Sequence, residues 1–246
     1  MANGHHWGMS AAAQRYDWAA VVIPAHNEHL SLPACLRALL AAAVCAPIPV
    51  TVVVVLDASR DGSTTLAGQY GDDVHFVTVD ARNVGAARAA GFRYARSLRA
   101  QDPQHIRAWY ACTDADSQVD PDWLTRQLNS NADVVLGVVR VADWRHHPVD
   151  VIERYEEAYQ QGVDDGHDHI HGANMGFSSQ AYWRVGGFRA LPSGEDVDLV
   201  KRFRVAGYRI DRDAELSVST SSRTRARAPR GFAEHLDQLA ASEAGD

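Results

Sequence analysis

A run of β-branched residues, Val-Thr-Val-Val-Val-Val-Leu at 50–56, is the feature that most restricts the folds open to this chain. A strand whose apolar side chains point to both sides needs cover on both faces, which is typical of the parallel sheets of α/β proteins. The run ends at Asp57, so a carboxylate lies at the carboxyl end of the strand. Open α/β sheets bind ligands at that edge. The sequence therefore predicts an α/β protein with a polar site where this strand ends.

Other apolar segments alternate with helical patterns along the chain. Strands are predicted at 19–23, 50–56, 74–79, 107–113 and 134–141, and helices at 31–43, 83–99 and 195–206. This alternation predicts a mostly parallel sheet with helices on both faces. With 246 residues, 46% of them hydrophobic, one such domain can bury a full core. We expect a single α/β/α domain at 16–215, a disordered leader at 1–15, and a basic segment and helix at 216–246 that pack on the same domain.

Charge and cysteine content narrow the classes of function. The net charge of -7 argues against a protein that coats nucleic acid. Cys35, Cys45 and Cys112 are odd in number and lie in or beside apolar runs, which favours reduced thiols over a disulfide framework. No apolar run approaches the ~18 residues of a membrane span. We expect a cytoplasmic protein with no nucleic-acid partner and no transmembrane segment.

Two carboxylates end the fourth predicted strand, in the segment Thr-Asp-Ala-Asp-Ser at 113–117. Asp114 and Asp116 are two residues apart, so an extended chain places both side chains on one face. Carboxylate oxygens are ligands that suit Mg²⁺ or Mn²⁺, which can bridge to phosphate oxygens. The alternative is an acidic turn that caps a helix at 120–122.

The predicted helix at 83–99 opens on small residues. Asn83 can cap it, and Gly85 with the two alanines that follow leaves the first backbone amides approachable. A phosphate can then bind at the helix N-terminus, with Arg88 beside it. Small residues at this position serve equally well for close packing of the helix against the sheet.

Two further polar clusters lie later in the chain. Glu195 and Asp196 follow a Ser-Gly loop and open the last predicted helix, where acidic residues complement the helix dipole and are also available to a substrate. His167, His169 and His171 alternate, but neighbouring histidines on one strand cannot close a tetrahedral zinc site unaided. A better interpretation is that one of them assists at a phosphate or at a metal held elsewhere.

The order of these motifs resembles a family-2 glycosyltransferase over about residues 19–206. The motifs are Pro-Ala-His-Asn-Glu at 24–28, Asp57, Asn-x-Gly-x-x-x-Ala at 83–89, Asp-Ala-Asp at 114–116 and Gly-Glu-Asp at 194–196. The resemblance implies the GT-A fold, a single Rossmann-like α/β/α domain around a mostly parallel sheet. It also implies transfer of a sugar from a nucleotide diphosphate with inversion. The chain departs from the processive synthases, because no Gln-x-x-Arg-Trp motif follows Asp196, so a single transfer is favoured.

The resemblance also implies roles for individual residues. Among the family's positions for the nucleotide sugar, the chain matches Pro24, Ala25, Glu28, Asp57 and Asp114. The start of the helix at 83–99 adds Asn83, Gly85 and Arg88 to the predicted nucleotide-sugar-binding residues, as argued above from the helix N-terminus. Within this set Asp57 matches the carboxylate that holds the base. Asp116 matches the metal ligand, with Asp114 facing the donor. Apart from the resemblance, His169 or His171 is a candidate third ligand, as argued above for the histidine stretch. Asp196 matches the general base, with Glu195 orienting or capping beside it.

The resemblance implies the chemical class of each substrate and of the metal cofactor. The donor is a UDP- or GDP-linked sugar, and the acceptor is a hydroxyl on a small molecule, lipid or glycan. Mn²⁺ or Mg²⁺ is expected to stabilise the negative charge that develops on the departing pyrophosphate. Two alternatives stay open: a sugar-phosphate nucleotidyltransferase, which should carry a Gly-rich loop directly after the first strand, and a non-catalytic nucleotide-sugar-binding protein. A dinucleotide enzyme is disfavoured, because Gly-x-Gly-x-x-Gly is absent from the first turn.

The last two predictions concern an acidic segment in the middle of the chain and a basic segment near its end. Residues 149–161 are predicted to form a surface helix or lid. Arg223, Arg225 and Arg227 alternate, so an extended chain aligns them on one face, where they either meet the donor pyrophosphate or an anionic acceptor or form a solvated tail.

Overall fold

Eight strands form one sheet in the computed structural model, which describes residues 15–99, 107–143 and 169–221. The strands are β1 Trp18–Ala25, β2 Val50–Asp57, β3 Val74–Val79, β4 Ala108–Cys112, β5 Ser117–Val119, β6 Val134–Asp143, β7 Met175–Ser178 and β8 Ile210–Ser221. The helices are α1 Leu32–Cys45, α2 Val84–Ser97, α3 Trp123–Asn129, α4 Ser179–Arg184 and α5 Glu195–Val205, with a 3₁₀ turn at Ser63–Leu66. The strand order is β3-β2-β1-β4-β7-β6-β8-β5.

The first four strands of that order, β3-β2-β1-β4, are parallel throughout. Val52 and Val54 of β2 face α1, whereas Val53 and Val55 face α2, and all four are almost fully buried. The prediction that this strand is covered on both faces is therefore confirmed. The predicted α/β class with a mostly parallel sheet is confirmed as well.

The other half of the sheet is mixed. β7 runs antiparallel to both β4 and β6, and β8 runs parallel to β6 and antiparallel to β5. The sequence did not predict β5 or β8 as strands. β8 carries many charged residues, and these bind neighbours at the sheet edge: Asp213 pairs with Arg126 at 2.9 Å, and Asp211 accepts a hydrogen bond from Ser130. The strand continues through residue 221, across the predicted domain boundary at 215/216.

Some predictions fall on parts of the chain outside the described residues. These are residues 1–14 of the predicted leader at 1–15, the helix at 149–161, His167, and residues 222–246 of the predicted basic segment and helix, which include the arginines at 223, 225 and 227. Within the described ranges, no helix is both long enough and apolar enough to cross a membrane.

Candidate active site

The loops that follow β1 and β2 are joined by hydrogen bonds at the carboxyl edge of the sheet. The ring of His26 contacts the carbonyl oxygen of Asp57 at 2.6 Å, and since a carbonyl only accepts, Nδ1 carries the proton. Ser59 Oγ donates to the carbonyl of Ala25 and accepts from the amide of Asn27. Asn27 and Ala58 have φ angles of 54° and 50°, an uncommon conformation for residues other than glycine. Pro24, Ala25 and the buried Glu28 thus lie in or beside a tightly bonded pair of loops.

The carboxylate of Asp57 accepts hydrogen bonds from the protein's own backbone. The residue is 5% exposed. Its oxygens accept three backbone N–H groups, from Ala81 at 2.7 Å, Arg82 at 2.8 Å and Asn83 at 2.8 Å. The side chain therefore ties the end of β2 to the loop that leads into α2.

Asn83 continues this connection towards the last helix. Its Oδ1 accepts the amide of Ala86 at 2.9 Å, which confirms the predicted helix cap. Its Nδ2 donates to the carbonyl of Leu191 at 2.7 Å. A Cβ atom on Gly85 would overlap the carbonyl oxygen of Arg189. In this structure the small residues thus serve close packing of α2 against the segment before α5.

Arg88 lies at the centre of the cluster of carboxylates. Only 2% of the residue is exposed. Nη2 donates to Oδ1 of Asp114 at 2.7 Å, and Nη1 donates to Oε1 of Glu195. The backbone of Gly172 packs on the guanidinium, since a Cβ there would lie 2.5 Å from Nη2. The structure thus brings three predicted site residues together, with Arg88 directed at carboxylates.

The charges in this cluster perturb one another. Burial raises the pKa of Glu195. The positive charge on Arg88 lowers this pKa and partly offsets the effect of burial, whereas the nearby Asp196 raises it further. Burial works against the charged form of Arg88, but the carboxylate of Asp114 and its neighbours outweigh it and raise the pKa of that guanidinium. Three carboxyl groups, those of Asp114, Glu195 and Asp196, thus lie around the single guanidinium of Arg88.

Asp196 is held by backbone amides next to this cluster. Oδ2 accepts the N–H of Gly172 at 2.8 Å, and Oδ1 accepts the N–H of Val197 at 2.8 Å. His171 directly precedes Gly172, and its ring stacks on His169 with centroids 5.8 Å apart. The histidine stretch therefore leads into the contact with Asp196. Gly172 was not among the predicted site residues, although a glycine directly after the polar His-x-His stretch is a signal of close backbone approach.

The residues present fit a divalent cation in chemistry. Asp116 is half-buried, and the side chain of Asp114 is 39% exposed although Oδ1 binds Arg88. Two carboxylates on one loop suit Mg²⁺ or Mn²⁺, which complete their coordination with diphosphate oxygens and water. Within 15–99, 107–143 and 169–221, no three Asp, Glu, His or Cys side chains lie close enough to form a metal site on their own. A third ligand from His169 or His171 stays a prediction.

Comparisons with known proteins agree with this architecture. The family described as glycosyl transferase family 2 matches residues 20–186. No curated protein matches the chain in sequence. Among solved structures, residues 1–349 of Staphylococcus aureus TarS share the fold with a TM-score of 0.60 at 14% identity, over 90% of this chain and 68% of that one. Its complex with UDP-GlcNAc gives the same TM-score at 13% identity, over 91% and 70%.

A second relative supports the same fold. The mannosyltransferase PcManGT from Pyrobaculum calidifontis, in complex with GDP-Man and Mn²⁺, has a TM-score of 0.60 at 18% identity, over 92% of this chain and 69% of that one. The predicted GT-A fold is therefore confirmed. Because the family match covers more than half of the chain, this protein belongs to glycosyl transferase family 2 and is a glycosyltransferase.

Proposed function

We propose that the protein transfers a sugar from a nucleotide-diphosphate donor to a hydroxyl acceptor, with inversion and with a requirement for Mg²⁺ or Mn²⁺. One observation carries the proposal: Arg88 hydrogen-bonds both Asp114, after β4, and Glu195, at the start of α5. The motif matched to the donor and the motif matched to the general base therefore meet in one place. A transferase needs this arrangement, since both substrates react at a single carbon atom.

The nucleotide would lie across the carboxyl ends of β1 and β2. Pro24, Ala25 and Glu28 would line it, and Asp57 would lie at the base. We assign a UDP- or GDP-linked sugar, because UDP-GlcNAc and GDP-Man are the donors named in complexes of two proteins with the same fold. The free thiols of all three cysteines fit a cytoplasmic enzyme.

Asp116 would hold the cation, with Asp114 beside it on the donor side. When bound, the cation supplies positive charge where negative charge grows on the leaving pyrophosphate. The three carboxyl groups around the single guanidinium of Arg88 support this assignment, because carboxylate oxygens are ligands that suit Mg²⁺ or Mn²⁺.

Asp196 would act as the general base. The acceptor hydroxyl attacks the sugar from the face opposite the pyrophosphate, which leaves with the electron pair of the broken bond and so inverts the carbon. Asp196 takes the proton that the hydroxyl loses. The amides of Gly172 and Val197 hold its carboxylate in place, and Glu195 orients the turn through Arg88. The acceptor is a hydroxyl of a small molecule, lipid or glycan, and each binding event transfers one sugar.

Release of nucleoside diphosphate tests this proposal. The protein is mixed with Mn²⁺ and a panel of UDP- and GDP-hexoses, first without an acceptor and then with simple alcohols and sugars. We expect slow release of UDP or GDP from one member, faster with an acceptor. A nucleotidyltransferase would instead release pyrophosphate from a nucleoside triphosphate and a sugar 1-phosphate. A binding protein would bind a donor and release nothing.

A further inference from the structure

The position of Arg88 follows from how closely α2 packs on the sheet. Gly91 faces β1 and β2 so tightly that a Cβ atom would lie 2.5 Å from Val22 and 2.9 Å from Val55. Arg88 lies three residues earlier, near the same face of the helix, and so enters the protein instead of reaching solvent. Its burial is therefore a consequence of the helix packing.

The guanidinium joins two separate parts of the chain. Its two terminal nitrogens bind different partners, Asp114 after β4 and Glu195 at the first turn of α5. A planar guanidinium can bind two carboxylates at fixed angles, whereas a lysine ammonium is a point charge that holds one well. Since Glu195 and Asp196 are consecutive, a change at Arg88 reaches the residue assigned as base.

We infer that Arg88 is a positioning residue, which fixes the donor-side Asp114 relative to Glu195 and Asp196, and that it is not a ligand of the donor phosphates. The inference rests on the proposed function for the roles of these carboxylates. Each terminal nitrogen donates one hydrogen bond to a carboxylate. The backbone of Gly172 packs against the guanidinium and the side chain is only 3% exposed, so a phosphate has little access to it. A phosphate ligand would change the affinity for the donor, whereas a positioning residue changes the alignment of the reacting groups and hence kcat.

Arg88→Lys is the decisive variant, because lysine keeps the positive charge but lacks the planar guanidinium that can bind two carboxylates at once. We expect kcat for nucleoside diphosphate release from UDP- or GDP-hexoses to fall roughly 100-fold, with KM for the donor changed less than about threefold. Arg93→Lys is the matched control, since Arg93 lies exposed on the same helix, and it should behave as the parent. A rise in donor KM with an unchanged kcat would assign Arg88 to the phosphates and overturn the inference.

Amide hydrogen exchange tests the same idea without any substrate. The amide of Gly172 donates to Asp196, and the amide of Ser117 donates to the carbonyl of Asp114. In Arg88→Lys both should exchange roughly tenfold faster than in Arg93→Lys. Unchanged exchange at both amides would overturn the inference. If no donor releases nucleotide in the parent, the proposed function fails, while the exchange still decides whether Arg88 holds the two segments.

Chemical rescue separates positioning from packing. In Arg88→Ala, free guanidinium at millimolar concentration should restore kcat at least about tenfold, and ammonium should not, because only guanidinium spans two carboxylates. Equal effects of the two ions would contradict the inference. If thermal denaturation shows that Arg88→Ala is not folded, the kinetics of Arg88→Lys and the exchange measurement test the inference instead.

Discussion

The two oxygens of Asp196 accept backbone amides from different segments, Gly172 on one side and Val197 on the other. Each oxygen keeps a second lone pair, so the carboxylate can still accept a proton from a bound hydroxyl. A carboxylate held in this way would need no reorientation to serve as the proposed base. Its substitution should therefore affect the chemical step more than the binding of substrates.

Asp196→Asn keeps the size of the side chain but cannot accept the proton. We expect kcat to fall roughly 10²- to 10⁴-fold while donor affinity changes little, as measured by steady-state transfer and by donor binding. Glu195→Gln should cost less, because its amide oxygen still accepts from Arg88. Asp198→Asn is the matched control on the same helix, where Asp198 pairs with Arg202 at 2.7 Å. If Asp198→Asn loses activity and Asp196→Asn does not, the base lies on the other face of α5.

Asp61 gives the loops at the nucleotide edge a pH dependence. Partial burial raises its pKa, but hydrogen bonds from Ser63 and the amide of His29 outweigh burial and hold the pKa below the ordinary 3.8. A carboxyl with a lowered folded-state pKa stabilises the fold above its unfolded pKa, and this contribution is lost as pH falls through the folded pKa.

Asp61→Asn should therefore lower the free energy of unfolding near neutral pH, and the difference from the parent should shrink as pH falls below 3.8. Urea unfolding between about pH 7 and about pH 3 measures this difference. Asp72→Asn, on the exposed turn before β3, is the matched control for the removal of a carboxylate. A difference that is constant with pH would mean that the charge on Asp61 does not contribute.

Among the elements, α2 connects the two parts of the site. Asp57 holds the loop before it, Asn83 reaches the segment before α5, and Arg88 reaches Glu195. The nucleotide-binding role assigned to Asp57 from the family resemblance and the anchoring role seen in the contacts predict different outcomes. The first predicts a loss of nucleotide affinity alone, whereas the second predicts a loss of stability as well.

Asp57→Ala should lower the free energy of unfolding by about 2 to 4 kcal/mol, because three N–H groups lose a charged acceptor. Nucleotide affinity should fall in the same variant, since the loop that it anchors borders the site. Urea unfolding and UDP or GDP binding measure the two effects. Asp80→Ala, in the same loop but with a side chain that is 73% exposed, should change neither. Full stability with weakened nucleotide binding would leave only the base-contact role.

Elements with a clear apolar period were predictable from the sequence, whereas the strands β5 and β8 were not. The repeats that define β2 and α1 follow directly from burial on one or two faces. β8 was missed because Asp211, Arg212 and Asp213 resemble a surface loop, although Asp211 and Asp213 are bound to side chains across the sheet edge. β5 is too short to show any period. Local pattern cannot reveal pairing with a strand that lies about a hundred residues away.

At the scale of the whole molecule, the sheet divides into a parallel half and a mixed half that meet at β4. The carboxyl end of β4 leads directly to Asp114 and Asp116, so these residues lie between the loops after β1 and β2 and the start of α5. The sequence predicted candidate site residues that follow a strand or open a helix, and the structure brings Arg88, Asp114 and Glu195 into contact. The sequence could not predict that Arg88 turns to the carboxylates, since that contact depends on the packing of α2.

Stability of the whole molecule reports whether the cation and nucleotide bind together. At a nucleotide concentration about 100-fold above Kd, binding contributes about 2.7 kcal/mol, which raises Tm by about 5 to 10 °C for a chain of this size. We expect this shift with UDP or GDP and Mn²⁺, and a much smaller one in EDTA. Asp116→Ala should lose the Mn²⁺-dependent part, whereas Asp120→Ala, exposed on the following turn, should keep it. Equal shifts in Mn²⁺ and EDTA for the parent would show that the nucleotide binds without a metal.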